Sequence, residues 1–375
     1  MPLPIVAPSF LLLSIMKRSC SITSLILLGV LLLPAVAVAQ NKTSTMTIQV
    51  KRGSKLIVGQ PISYFGNKLE LLKRDGRLTT VPYNGRGSYK YLSDTFKPFN
   101  ASEMQAELRK EFGRKYHVSA TGHYLVAHPD GNFAKWAAPF EKEFQRFRAY
   151  FLMRGHRLDE PQFPMVAVVL KTRAEFDWFL NRYQGGSSTH SYTLGYYSPR
   201  SNRIITYDQS DDGHDGSVFD DSTLIHEIAH QAAYNTNLHL RMGGHTPRWV
   251  AEGLAMLFEA KGINQSRSTA NQSDRINFDR MKELRQWYFS GNGFGNIDKM
   301  IRSDQWFRGS PMSYPLAWGL TFYLSEKKPK LYHRYLKESA TPSTKDRLAM
   351  FTDAFGNDLD KLERDMIKFF AKIDP

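Results

Sequence analysis

The segment that decides the fold is residues 222–233, STLIHEIAHQAA, which contains the pattern H-E-x-x-H at residues 226–230. Residues four apart lie on one face of a helix, so the imidazoles of His226 and His230 can reach one zinc ion. Glu227 lies beside them, where it can take a proton from a metal-bound water. The pattern therefore predicts a helix that carries a metal site.

The residues around this pattern favour a helix. Residues 224–233 contain neither proline nor glycine. Four residues suited to a helix N-cap come just before them, namely Asp220, Asp221, Ser222 and Thr223.

A second helix is predicted over residues 248–259, RWVAEGLAMLFE. Thr246 is its expected N-cap, Pro247 occupies the first turn, and the Lys-Gly pair at 261–262 marks its end. Glu252 is polar among apolar neighbours in this helix. Two histidines, a glutamate and an open position for water form a catalytic zinc set, which makes Glu252 the candidate third ligand.

The residues after His230 exclude a metzincin-type zinc site, because Ala233 and Thr236 occupy the positions where the metzincin motif has glycine and histidine. The sequence instead resembles the gluzincin, or peptidase-MA-like, zinc metallopeptidases over about residues 115–375. The matching motifs are His226-Glu227-x-x-His230 and Trp249-x-x-Glu252-Gly253-x-Ala255. The general look is closest to secreted bacterial gluzincin-like families of unassigned function. This resemblance implies a zincin-like catalytic domain, one zinc ion per chain and Glu252 as the third zinc ligand.

Residues 313–324, SYPLAWGLTFYL, are similar to the tyrosine-led helix of aminopeptidase-N-like enzymes. In those enzymes the leading tyrosine hydrogen-bonds the oxyanion of the tetrahedral intermediate, and the resemblance assigns this role to Tyr314. A phenol at a helix start, just before Pro315, is also a rigidly placed donor.

The chain departs from the family pattern in two respects. It lacks a glutamate motif like the one with which aminopeptidases hold a free amine, which disfavours an exopeptidase. Thermolysin-like enzymes carry an aspartate four residues after the third ligand to orient a zinc histidine, and this chain has Met256 there. The sequence therefore does not identify the residue that orients the histidines.

The N-terminal 39 residues are predicted to be a signal peptide. Basic residues at 17–18 precede an apolar run at 25–34, and an A-x-A site ends at Ala39. The expected protein is secreted or periplasmic after cleavage near Ala39, with translation starting at Met1 or Met16. The one cysteine, Cys20, lies in this segment, so no disulfide framework and no cysteine-based zinc site is expected.

The composition predicts a globular α+β protein, since 42% hydrophobic and 13% aromatic residues can form a large core. Short strands come first and helices dominate later. After the signal peptide we expect a small β-barrel-like domain at 40–92, a linker helix at 93–114, an α/β sheet part of the catalytic domain at 115–220 and a helical zinc-binding part at 221–375.

The charge balance is basic, with a formal net charge of +14. The basic clusters are scattered along the chain and no aromatic-studded basic motif is present, so nucleic acid is not an expected partner. We interpret these clusters as solvated surface, with a weak electrostatic association with an anionic envelope as the alternative. Oligomeric state does not follow from the sequence.

These features predict a secreted zinc metallopeptidase that hydrolyses peptide bonds through a zinc-activated water. His226, His230 and Glu252 bind zinc, Glu227 is the general base, and Tyr314 stabilises the oxyanion. The substrate is a peptide or protein. The alternatives are a catalytically inactive, zinc-stabilised envelope or binding protein, and a zinc hydrolase acting on a non-peptide amide.

Two further expectations concern the surroundings of the site. Residues 203–207 alternate weakly in hydrophobicity, and we expect them to form the sheet edge beside the zinc, where a peptide could add as a strand. His239 and His245 are interpreted as surface residues of the loop between the zinc helices. His214, among aspartates, is interpreted as part of a solvated loop.

Overall fold

The computed structural model describes residues 45–184, 194–210, 222–241, 246–264, 271–291, 293–341, 343 and 345–373. The predicted signal peptide lies outside these residues, as do His214, His245 and the N-cap candidates Asp220 and Asp221. Within the described part the chain is a mixed α+β protein. A small β unit comes first, a five-stranded mixed sheet follows, and the C-terminal half is mostly helical.

The small β unit is a five-stranded antiparallel sheet in the order β4-β3-β2-β1-β5. Its strands are β1 (Thr47–Arg52), β2 (Lys55–Phe65), β3 (Lys68–Leu72), β4 (Leu78–Pro82) and β5 (Tyr89–Ser93). The turns after β1 and β2 contain Gly53 and Gly66 with positive φ, which glycine adopts without steric cost. The sheet encloses its own small core, formed by Ile48, Val50, Leu69, Leu71 and Val81.

The larger sheet has the order β6-β7-β8-β10-β9. Its strands are β6 (His117–Ala120), β7 (Tyr124–His128), β8 (Met165–Leu170), β9 (Gly195–Ser198) and β10 (Arg203–Tyr207). The three central strands are parallel, whereas β6 and β9 are antiparallel to their neighbours and form the edges. Every residue of β8 is buried, as expected for a central strand covered on both faces.

The prediction that residues 203–207 form the sheet edge is wrong. These residues, β10, pair with β8 on one side and with β9 on the other. All five residues are buried. Because both faces of this interior strand are covered, neither face needs polar residues, and hydrophobicity does not alternate clearly along the strand. The edge strand is β9, which lies outside β10 in the sheet. The turn that connects β9 to β10 ends at Asn202, whose φ is 57°.

Helices cover both faces of the larger sheet. On one face lie α1 (Ala101–Phe112) and α4 (Arg173–Gln184). On the other lie α3 (Ala138–Leu152), preceded by the short α2 (Phe133–Trp136), and the metal-motif helix α5 (Ser222–Asn235). The motif helix is therefore held against the sheet by the main hydrophobic core.

The remaining helices complete that core. They are α6 (Arg248–Phe258), α7 (Phe278–Phe289), α8 (Asn296–Arg302), α9 (Asp304–Gly309), α10 (Ser313–Lys327), α11 (Pro329–Ser339), α12 (Arg347–Phe355) and α13 (Leu359–Ala371). The most buried of them is α10, with Trp318 and Phe322 fully enclosed. No helix in the described part of the chain is long and apolar enough to cross a membrane.

The small β unit contacts the larger sheet at the β9–β10 turn. The Leu78 amide donates to the Arg200 carbonyl oxygen at 2.7 Å. The guanidinium of the half-buried Arg241 donates to the carbonyl oxygens of Pro199 and Gly76, one on each side of the contact. The β unit is thus fastened next to the edge strand that adjoins the motif helix.

Candidate metal centre

The three predicted ligands lie close together where α5 and α6 face each other. His226 Nε2 lies 3.4 Å and His230 Nε2 3.5 Å from the same oxygen, Glu252 Oε2. A tetrahedral zinc ion with bonds of about 2.0–2.1 Å would hold its ligand atoms roughly 3.3–3.4 Å apart. The donor set and its spacing therefore fit one zinc ion. The three side chains are only 12% to 14% exposed.

The motif helix α5 is anchored to the sheet by amide side chains next to the metal ligands. Gln231 Nε2 donates to the carbonyl oxygens of Val166 and Asn202, both at 3.0 Å. One turn later, Asn235 Nδ2 donates to Asn202 Oδ1 at 2.8 Å. These bonds satisfy buried backbone carbonyls and fix the rotation of α5, so that His226 and His230 face α6 rather than the sheet.

The second ligand helix, α6, begins where predicted but is not capped by Thr246. Arg248 is its first residue, and Thr246 does not cap it, since the Thr246 hydroxyl instead accepts from the Leu240 amide at 2.7 Å. The orphan N–H of Arg248 donates to Asp304 Oδ1 at 2.9 Å, so a carboxylate from α9 serves the helix start. This bond fixes the end of α6 that lies one turn before Glu252.

Glu259 is a functional residue that the sequence did not reveal. It follows α6 and accepts a hydrogen bond from His226 Nδ1 at 2.8 Å, while its other oxygen accepts from Asn277 Nδ2 at 2.6 Å. A carboxylate on the far nitrogen fixes the tautomer that turns the Nε2 lone pair toward a metal. Glu259 lies two helical turns after Glu252, so helical periodicity was the one signal that could have found it.

Hydrogen bonds between the histidines and the glutamates of the centre favour the charged forms of these side chains. Burial lowers the pKa of His226, but hydrogen bonds with Glu252 and Glu259 outweigh it and raise that pKa to about 10. Burial raises the pKa of Glu252, but hydrogen bonds with the two histidines outweigh it and lower the pKa well below its usual range. Glu252 therefore stays ionised, and its negative charge favours the binding of a cation.

Glu227 lies beside the ligands without belonging to their set. Its Oε2 accepts a hydrogen bond from the Tyr197 amide of the edge strand β9 at 2.5 Å. Burial raises the pKa of Glu227 and outweighs the opposing charges of His226 and His230. The edge strand that contacts the centre is therefore β9 and not residues 203–207.

Tyr314, in the first turn of α10, reaches the other side of the centre. Its hydroxyl oxygen accepts from Arg248 Nη2 at 3.3 Å, and Arg248 Nε lies 3.6 Å from Glu252 Oε1. The Tyr314 ring packs edge-on against Phe307, at a centroid distance of 5.1 Å. Burial and the charge of Glu252 raise the pKa of Tyr314, so its phenol keeps its proton at neutral pH.

His239 is not a surface residue, contrary to the sequence interpretation. It is only 2% exposed, and burial lowers its pKa to about 3, which keeps it neutral. Its Nδ1 lies 2.8 Å from the Leu238 carbonyl oxygen, and its ring packs edge-on against Tyr234, one turn after His230. His239 therefore supports the wall behind the ligands.

A groove of about 1030 Å³ opens next to the centre, and Glu259 lines it. The first turns of α7 form much of its wall, and Arg280 extends from this wall until its guanidinium lies 5.9 Å from the Tyr314 ring. Glu259 and Arg280 therefore link this groove to the His226 side and the Tyr314 side of the centre.

A family model described as a protein of unknown function (DUF1570) matches residues 220–345. The matched segment runs from just before α5 to just after α11. It includes His226, Glu227, His230, Glu252, Glu259 and Tyr314. No curated protein matches the chain.

Proposed function

We propose that this protein is a gluzincin-type zinc metallopeptidase, a hydrolase of peptide bonds built on a zincin-like catalytic domain. One observation carries the proposal. Two histidine nitrogens lie 3.4 and 3.5 Å from one glutamate oxygen, all three ligand atoms lie within 4.8 Å of one another, and a second, non-ligand glutamate lies directly beside them. Export through the segment at 1–39 would bring this centre to the periplasm or the exterior.

His226, His230 and Glu252 would hold the zinc ion. When bound, zinc supplies a Lewis acid that makes water nucleophilic near neutral pH and draws charge from a carbonyl oxygen. The remaining chemistry is proton transfer and charge stabilisation by the side chains of this chain.

Glu227 is the general base. It accepts a proton from the attacking water and then passes it to the nitrogen of the leaving amine, so that one carboxylate serves both halves of the reaction. Burial raises its pKa from the ordinary value toward the working pH, which improves its ability to do both.

Tyr314 stabilises the developing oxyanion. Arg248 donates to the phenol oxygen, which occupies a lone pair and leaves the O–H proton to be donated elsewhere. Because Arg248 also lies 3.6 Å from Glu252, one guanidinium links the oxyanion donor to the third ligand. A donor held in place before the reaction costs no reorganisation during it.

The competing function is a catalytically inactive, zinc-stabilised envelope or binding protein. Such a protein needs the three ligands, but it needs neither an unliganded base beside them nor a protonated phenol linked to the third ligand through Arg248. Glu227 and Tyr314 together therefore favour hydrolysis, and a non-peptide amide would require the same groups.

The test compares wild-type protein with Glu227→Gln, using the exposed Glu338→Gln as the matched control. After reconstitution all three proteins should hold about one zinc per chain. Wild type and the control should cleave members of a peptide library, and a chelator should abolish this cleavage. The Glu227→Gln variant should lose about a hundred- to ten-thousand-fold in kcat.

Two results would contradict this proposal. A Glu227→Gln variant that cleaves as fast as wild type would exclude Glu227 as the base. Full zinc occupancy without cleavage of any peptide would favour the binding protein or the non-peptide amide hydrolase, and an amide-substrate panel would then separate these two.

A further inference from the structure

A second concave site lies at the opposite edge of the larger sheet from the metal centre. It is a pocket of about 400 Å³ between the end of α1 and the edge strand β6. We call it the basic pocket, and its polar lining comes from Arg109, Arg114, His117 and Ser119, with Gly131 opposite. Because the metal centre contacts β9, the full width of the five-stranded sheet separates the two sites.

The two arginines of this pocket have no ion-pair partner among the described residues. Within the described residues, neither the Arg109 nor the Arg114 guanidinium forms an ion pair or hydrogen bond. Both side chains belong to exposed residues, and Lys110 and Lys115 add exposed positive charge next to them.

Two carboxylates near the pocket, Glu111 and Asp130, are engaged elsewhere. Glu111, on the same helix as Arg109, accepts from Arg203 through both of its oxygens at 2.9 Å and from Arg77 at 3.0 Å. Asp130, adjacent to Gly131, accepts from Trp136 Nε1 at 2.7 Å and from the Asn132 amide at 2.9 Å. Neither of these two carboxylates pairs with Arg109 or Arg114.

The donors present suit a tetrahedral oxyanion. Arginine offers a planar fork of N–H donors that matches phosphate, and two forks can share its several oxygens. Ser119 adds a hydroxyl whose oxygen lies 2.8 Å from His128 Nε2, and exposed His117 adds ring nitrogens. A carboxylate has only two oxygens and would leave part of this set unused.

We propose that the basic pocket binds a phosphate group, and that it is a ligand site separate from the metal centre. The volume lies within the range of small-ligand pockets, which fits one phosphate-bearing group rather than a long polyanion. The phosphate can belong to a lipid headgroup or to a soluble molecule, and both present the same oxygens. In either case the metal centre at the opposite sheet edge remains open.

The test uses the full mature chain as wild type, as Arg109→Gln/Arg114→Gln and as a control, Lys330→Gln/Lys372→Gln. The control removes the same two positive charges from exposed positions elsewhere. Inorganic phosphate is titrated calorimetrically into each protein. Co-sedimentation is then measured with vesicles of phosphatidylcholine alone and with vesicles containing 30% phosphatidylglycerol.

Wild type and control should bind inorganic phosphate equally, and the arginine variant should bind it at least about tenfold more weakly. If the anionic vesicles follow the same order, the phosphate source is a lipid headgroup. If only inorganic phosphate does, the source is a soluble molecule. Absence of phosphate binding by wild type, or equal weakening in both variants, would overturn the proposal, and neither result depends on peptidase activity.

Discussion

At the scale of single residues, Glu259 connects the metal centre to the groove. It holds His226 Nδ1 and is itself held by Asn277, so the orientation of one ligand depends on a short chain of hydrogen bonds from α7. We expect Glu259→Ala to lower zinc affinity by about 10- to 100-fold without unfolding the protein. Zinc competition against a chelator measures this, with Glu283→Ala in the same groove as the control. Equal zinc affinities in all three proteins would contradict the assigned role.

Tyr314 gives a second prediction at this scale. Tyr314→Phe removes only the hydroxyl that accepts from Arg248 and keeps the packing of the ring on Phe307. We expect kcat to fall by about a hundred- to a thousand-fold with little change in KM, because the phenol acts on charge that develops only during reaction. Tyr323→Phe, farther along α10, should be nearly silent. A rise in KM with kcat unchanged would instead assign Tyr314 to substrate contact.

At the scale of elements, the close approach of α6 and α10 places Glu252. A Cβ at Gly253 would lie 2.7 Å from the Ala317 carbonyl oxygen and would also collide with Thr321 Oγ1. In an exposed helix, Gly→Ala stabilises by about 1 kcal/mol, but here the contact is with backbone that cannot move aside. We therefore expect Gly253→Ala to destabilise the protein by about 2 kcal/mol and to weaken zinc binding.

A glycine on another face of α10 provides the matched control. A Cβ at Gly319 of α10 would meet mainly Leu284 Cδ2 at 2.5 Å, the far end of a flexible side chain. Gly319→Ala should therefore cost less than Gly253→Ala in the free energy of unfolding measured with urea. The reverse order would show that the spacing of α6 and α10 does not limit this position.

At the scale of the whole molecule, a histidine pair joins the segment after α3 to the C-terminal helices. The rings of His156 and His333 stack at a centroid distance of 3.2 Å and an angle of 8°. Burial, with the positive charges of His156 and Lys337 nearby, lowers the pKa of His333 to about 4. Below the ordinary value of 6.5 the unfolded chain takes up a proton that the folded chain refuses.

Stability from this pair is therefore complete above about pH 6.5 and is lost as the pH falls toward 4. Linkage sets the loss from His333 on the order of 3 kcal/mol between pH 7 and pH 4. We expect His333→Phe, which keeps an aromatic ring there, to remove this part of the acid sensitivity, whereas His117→Phe should not. Urea unfolding at both pH values with the metal chelated measures it. Identical acid losses in wild type and His333→Phe would refute the role of this pair.

The sequence by itself determined the local features. The spacing of His226, Glu227 and His230 follows from helical periodicity alone, and an isolated polar residue among apolar ones singled out Glu252. The order of strands before helices was sufficient to predict the α+β class. These inferences depend only on neighbours within a few turns of chain, which is why they needed no knowledge of the packing.

Tertiary structure alone decided what depends on partners distant in sequence. Residues 203–207 are interior rather than at the edge, because whether a strand has one neighbour or two is set by the chain that folds beside it. His239 is buried because distant helices cover its loop, and Glu259 reaches His226 only because α6 crosses α5. Hydrophobic patterning in the sequence specifies which faces are buried. Which of those faces pack against each other depends on contacts between distant segments, and therefore on the packing of the whole core.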